Sequence, residues 1–242
     1  MTEIDHLLPT NTSAEEQARR AEVAVLPVGS FEQHGAFLPL ITDTVIAAVI
    51  TRAVAAAYPV LHLPPVTVSC SHEHAGWAGT VSISAATLYA VVTDIAASLR
   101  GAGVDRLVLI NGHGGNYVLG NVVQEAGSRG HRMALFPTEV DWAAARVAGG
   151  VRTNADTDMH AGELETSLLL HAHPELVRPD YAAHDHVADD RNRMLTLGLS
   201  AYTESGVVGM PSLASPEKGR DALASLVASF ADVLSALSTA SR

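Results

Sequence analysis

Along this chain, short runs of consecutive apolar residues alternate with longer, alanine-rich stretches in which apolar positions recur at helical spacing. Residues 23–28 (VAVLPV), 60–63, 106–110 (RLVLI) and 131–136 are short and rich in branched aliphatic residues, so they predict strands. The first ends at Gly29-Ser30 and the second at Pro64-Pro65, both turn signals. Residues 45–58 predict a helix that Asp43-Thr44 can cap and Pro59 stops. Further helices are predicted over 85–101, 116–128, 161–172 and 217–237, the last with one apolar face. Strands separated by helices imply βαβ units, hence an α/β fold with a mainly parallel sheet covered on both faces. No linker or internal repeat divides the chain, so one domain over residues 1–242 is expected.

Such sheets bind ligands beyond the carboxyl ends of their strands, and the two richest polar motifs fall there. GSFEQHG follows the first strand and NGHGGN follows residues 106–110. Glu32, His34 and Asp43 offer the carboxylate oxygens and imidazole nitrogens that divalent transition metals take. Glu32 and His34 lie two apart, so an extended segment points both to one side. The intervening AFLPLIT loop can fold back to bring Asp43 to them. His113 sits in a glycine-rich turn that allows close approach of backbone to a ligand, and the following helix N-terminus favours an anionic oxygen. The plainer reading of each of these residues is capping or surface polarity. NGHGGN carries neither the Lys-Ser/Thr of a phosphate loop nor a dinucleotide fingerprint.

A third polar segment runs from Asp158 to Thr166. A helix starting near Ala161 puts His160 at its mouth, with Glu165 pointing back towards the start and Glu163 elsewhere. An imidazole that titrates near neutrality suits a proton carrier, the role expected of His160. Ser71, His74 and Trp77 belong to a loop that can line the pocket, and Trp142 can supply a wall. Gly114 and Gly115 form a rim whose N–H groups can face a developing oxyanion. His171, His173, His184 and His186 are read as surface or structural.

Composition narrows the partners. A formal net charge of −11, from 15 basic and 26 acidic residues, argues against nucleic acid, which needs clustered Lys and Arg. Cys70 is the only cysteine, so neither an internal disulfide nor a thiolate zinc site is available, which fits a reducing cytoplasm. The polar N-terminus is no signal peptide, and no apolar run reaches the ~18 residues of a spanning helix, so no membrane is expected. No G-x-S-x-G elbow supports a serine hydrolase.

GSFEQHG, LPLITD, INGHGGN and HAGELETS, in this order, resemble the creatininase family of metal-dependent amidohydrolases, from about residue 23 to 170. The resemblance implies a three-layer α/β/α sandwich, with two divalent metal ions (Zn, Fe or Mn) at the C-terminal edge of the sheet. It implies that Glu32, Asp43 and His113 hold one metal, and that Asp43 bridges to a second held also by His34. Creatininase itself carries a glutamate ligand two residues after the histidine matching His113, where this chain has Gly115. The second metal therefore takes another carboxylate: Glu165 first, with Glu163 in reserve as ligand or as a catalytic partner of His160. That departure also separates the chain from creatinine as substrate. The motifs are most similar to a peptidase branch of the family, which trims a C-terminal Val-Tyr dipeptide from a modified precursor peptide and assembles as homo-oligomers. The alternatives are a hydrolase of a small cyclic amide or formamide, and a non-catalytic metal-binding scaffold.

Overall fold

A computed structural model describes residues 8–239. Its elements in chain order are α1 (Ser13–Arg19), β1 (Val23–Val28), α2 (Thr42–Ala57), β2 (Leu61–His62), α3 (Ala85–Gly101), β3 (Arg106–Asn111), α4 (Val118–Ser128), β4 (Arg132–Phe136), α5 (Glu139–Ala148), α6 (Glu163–Ala172), α7 (Met194–Leu197) and α8 (Pro216–Thr239). All four strands are parallel, in the order β2-β1-β3-β4. The expected strand over 60–63 shrinks to Leu61–His62, which pair with Ala24 and Val25. Three helices, α1, α5 and α7, were not expected. Of these, α1 and α5 open on a capping box, Thr12 with Glu15 and Thr138 with Asp141.

Alternation along the strands sorts side chains to two faces. Val23 and Val25 join Val108, Ile110 and Phe136 on one face, which α2, α5, α6 and α8 cover. Ala24, Leu26 and Val28 join Leu107 and Leu109 on the other, beneath α3 and α4. The result is the α/β/α sandwich expected from the sequence. All six β1 residues are buried, which is why that strand reads as an unbroken apolar run.

From β1 the chain goes through α2 to β2 at one edge, then crosses back through α3 to β3 on the other side of β1. The sheet therefore changes direction between β1 and β3, and a crevice opens beyond their carboxyl ends. Their register, Val23↔Arg106 through Val28↔Asn111, makes the two polar motifs emerge side by side.

Helix α8 is long and apolar enough to cross a bilayer by length and composition. Yet Ala222, Leu226, Phe230 and Leu237, at helical spacing, are buried in the core shared with α2, α5 and α6. Phe230 stands edge-on to Phe136, with ring centroids 5.4 Å apart, and tilts against Tyr58 at 5.5 Å. The Tyr58 hydroxyl donates to the Val227 carbonyl at 3.0 Å. Replacing Phe230 with Ala empties the meeting point of α2, α8 and the sheet. Its expected cost is about 3–5 kcal/mol, read as a lower urea midpoint.

Candidate metal centre

The crevice is built by pushing the start of α2 against two strand ends. A Cβ on Gly29 would lie 2.3 Å from the Thr44 backbone, and one on Gly112 would lie 2.4 Å from the Asp43 carbonyl oxygen. Only glycine at both positions lets the first turn of α2 sit this close. Asp43 lies inside that turn rather than capping it, and Ile41 is the N-cap residue. Its carboxylate gains from the positive end of the helix dipole. Ser30 Oγ also donates to Asp43 Oδ2 at 2.8 Å. The segment from Ser30 to His34 folds back over the strand end, and Glu32 N donates to the Leu40 carbonyl at 2.9 Å. That bond closes the loop and returns Asp43 to Glu32 and His34.

Around Asp43 the polar side chains converge. His34 Nε2 lies 2.9 Å from Asp43 Oδ1, and His113 Nδ1 lies 2.9 Å from Oδ2. His113 Nε2 is 3.2 Å from Glu32 Oε2, and His74 Nε2 is 3.1 Å from Glu32 Oε1. His160 Nδ1 stands 3.8 Å from Glu32 Oε1, with its ring 4.1 Å from that of His34. Three sets of potential ligand atoms each lie within 4.8 Å of one another: Glu32, Asp43 and His113; His34, Asp43 and Glu165; Glu32, His34 and His160.

These residues fit divalent cations. Both carboxylate oxygens of Glu32 are buried and accept no hydrogen bond, although two imidazoles approach within 3.2 Å. The nitrogens are near enough but not aimed as donors. A buried carboxylate left this way is costly unless a cation meets it. Oxygen and imidazole donors without thiolate suit Zn, Fe or Mn.

Hydrogen-bond partners show where the protons sit in the absence of metal. His34 Nδ1 faces the Glu32 carbonyl at 3.1 Å while Nε2 faces Asp43, so both nitrogens meet acceptors. Burial opposes a charge on His34, but Asp43 outweighs it and holds the proton up to about 9. His113, between the Cys70 carbonyl, Asp43 and Glu32, is likewise raised well above its usual value, against the effect of burial. Asp43 is driven well below its usual value, because the two imidazoles overcome its burial. Burial raises Glu32, and it raises Glu165 to about 8. His74 and His160 go the other way. Burial and the neighbouring imidazoles push His74 down to about 3 and His160 well below its usual value.

The structure brings Glu32, His34, Asp43, His113, His160 and Glu165 together. Gly114, Gly115 and His74 also line the cleft. It does not bring in Glu163, whose carboxylate accepts from Arg152 N, from Thr153 N and Oγ1, and from Lys218 Nζ, away from the cleft. The expectation of a catalytic or ligating Glu163 is corrected accordingly. His160 differs from expectation in its surroundings: Nε2 faces the Gln33 carbonyl at 2.6 Å and Nδ1 faces Glu32, the arrangement of a metal-binding imidazole. Trp142 lies in α5 against the core rather than in the cleft. Trp77 donates its indole N–H to the Glu204 carbonyl at 3.3 Å, its ring lies 6.2 Å from that of His74, and it is not among the residues lining the cleft. Ser71 is fully buried, its Oγ without a partner, and does not line the cleft.

Sequence reasoning missed Tyr117, Met159 and Met194, and gave no role to Glu73 in the loop over 71–74; all four lie on the cleft wall. A signal for Glu73 existed in Gly115. A Cβ at position 115 would lie 2.1 Å from Glu73 Oε1, so the missing side chain there leaves room for this carboxylate.

Comparison with known proteins identifies the family of the chain. The family model for creatininase (creatinine amidohydrolase) matches residues 9–234. A mycofactocin precursor peptide peptidase of Mycobacterium ulcerans (strain Agy99) is 35% identical, covering 91% of this chain and 87% of that protein. One from Mycolicibacterium smegmatis (strain ATCC 700084 / mc(2)155) is 33% identical, covering 87% and 83%. A solved manganese form of creatininase superposes with a TM-score of 0.79 at 26% identity, covering 93% of this chain and 95% of that one.

The raised proton affinities of Glu165, His34 and His113 set a pH expectation. Each keeps its proton at pH 7 without metal and must lose it to become a ligand, so metal uptake releases protons and apparent affinity strengthens as pH rises towards 9. Calorimetric metal titration in buffers of different ionisation enthalpy measures the release. Glu165→Gln should reduce it, whereas a heat independent of buffer would mean that these groups are already deprotonated.

Proposed function

The chain belongs to the creatininase family, and on that premise we propose that it is a metal-dependent peptidase that removes a C-terminal Val-Tyr dipeptide from the mycofactocin precursor peptide. The observation that carries the hydrolytic part is the buried Glu32 carboxylate, free of hydrogen bonds among imidazoles and facing the cleft. The peptide substrate rests on similarity to the two mycobacterial relatives. The cleft wall is compatible with a tyrosine-ended chain. Tyr117 is 60% exposed beside the cleft, and Met194 lines it next to the exposed Leu195 and Leu197 of α7.

On this reading Glu32, Asp43 and His113 would hold one divalent ion and Asp43, His34 and Glu165 a second, with His160 placed beside them. When bound, such ions polarise an amide carbonyl and lower the pKa of water from ~15.7 towards ~7, which no side chain here does alone. The protein supplies the rest. Its glycine rim at Gly114 and Gly115 leaves the substrate backbone room to approach. His74, neutral at working pH, can donate a hydrogen bond to a carbonyl oxygen without carrying a charge that would repel the cations. Burial of Asp43 and Glu32 keeps bulk water from competing for the ions.

The direct test offers the purified chain, loaded with Zn, Fe or Mn, a precursor peptide ending in Val-Tyr and looks for the free dipeptide by mass spectrometry. Release should stop on chelation and return with added metal. Cleavage of formamides or small cyclic amides with the peptide untouched would replace the peptide substrate by the smaller class. His113→Ala should lose bound metal and activity together; full metal content and full rate in that variant would sink the assignment.

A further inference from the structure

Gln33 lies between two histidines of the cleft and holds a different group towards each. Its side-chain Oε1 accepts from Gly35 N at 2.9 Å, and its Nε2 donates to the Gly206 carbonyl at 3.1 Å. Those contacts fix which end of the amide carries the hydrogens, because the flipped amide would set oxygen against a carbonyl and NH₂ against an N–H. Gly206 is also close-fitted to the amide: with φ +83°, a Cβ there would fall 1.8 Å from Gln33 Oε1. The same Nε2 lies 2.9 Å from His74 Nδ1. Since the amide nitrogen is a donor, His74 Nδ1 must accept, and the imidazole hydrogen is left on Nε2, which faces the cleft 3.1 Å from Glu32 Oε1.

The backbone carbonyl of Gln33 faces His160. It accepts from Nε2 at 2.6 Å and leaves the Nδ1 lone pair towards Glu32. The two rings lie 4.4 Å apart, so two imidazoles in contact present unlike atoms to one carboxylate.

We propose that Gln33 is a positioning residue that keeps the ring hydrogen of both His74 and His160 on Nε2, so that His74, whose Nε2 faces Glu32, offers the cleft an N–H and His160, whose Nδ1 faces Glu32, offers it a lone pair. The N–H suits the carbonyl oxygen of a bound amide, and the lone pair suits a cation. This effect on turnover rests on the hydrolase reading above; the hydrogen placement does not.

The test separates the two. Nitrogen-15 spectra of histidine rings in the full, metal-free chain near neutral pH distinguish protonated from unprotonated ring nitrogens. In the unaltered protein both His74 and His160 should appear unprotonated at Nδ1 and protonated at Nε2. Gln33→Glu removes the donor, and His74 Nδ1 should become the protonated nitrogen. Gln33→Met removes the bond without reversing it, and His74 should average between the two forms; this variant carries the test if the first fails to fold. His160 should keep its pattern in both, since its partner is backbone. In the metal-loaded enzyme Gln33→Met should lower kcat roughly 10- to 100-fold, the size typical of groups that orient a site, with metal content kept and KM little changed. A protonated Nδ1 on His74 in the unaltered protein, or a His74 pattern indifferent to both substitutions, would overturn the assignment. If the spectra behave as stated but no amide is cleaved, the hydrolase reading fails and the hydrogen placement stands.

Discussion

Burial of three carboxylates in one crevice is the constraint that the rest of the structure serves. Glu32 and Asp43 are almost fully removed from water, and Glu165 lies beside them. Like charges about 4 Å apart repel by roughly 4 kcal/mol per pair at an effective dielectric of 20, in addition to the cost of desolvating each one. A fold keeps such a cluster only if something positive is delivered to the same place. Here that is the start of α2, two doubly bonded imidazoles and, in the proposed function, metal ions. The sheet reversal between β1 and β3 creates the crevice, and the glycines at positions 29 and 112 let the helix end reach it.

A second network aims the far wall. Asp158 accepts from Glu163 N at 2.5 Å and Leu164 N at 3.2 Å, so it caps α6 from outside, and Arg146 of α5 holds it at 2.9 Å. Glu163 is tied to Lys218 of α8 and to the backbone at Arg152 and Thr153. Between these anchors Ala161 takes a left-handed φ of +52°, a conformation costing roughly 1–2 kcal/mol for a residue with a Cβ. That turn lets Ala161 N reach Glu165 Oε2 at 2.6 Å, while His160 pairs with Val208 through both backbone groups. Two acids of the segment are therefore spent on structure, and His160 and Glu165 are left to face the cleft.

The legible and illegible parts divide along the same line. Strands buried on both faces leave an unbroken apolar signature, and polar motifs right after them sit at a sheet edge by topology, so Glu32, His34, Asp43 and His113 could be grouped from the sequence. The choice between Glu163 and Glu165 could not be settled that way, because it depends on the φ of Ala161 and on Arg146 and Lys218, which arrive from other helices. Trp142 was misplaced because α5 was missed. That helix opens with Asp141 where a Glu or Gln is the more familiar partner of a capping threonine. Glu73 and His74 lie in a short 3₁₀ turn, and nothing local fixes which way such a turn faces. Gln33 drew no notice because an amide has no acid–base chemistry of its own; its importance comes from what it touches.

The proton affinities of the crevice residues fall into two groups. Glu32, Glu165, His34 and His113 all have raised proton affinity, and all four are among the proposed ligands. Protons held by Glu165, His34 and His113 and the charge of bound cations would offset the same carboxylates, so the two oppose each other at this site. His74 and His160 lie outside this competition, since their affinity is pushed down rather than up. Their neutral rings hold fixed hydrogen positions while the charges around them change hands.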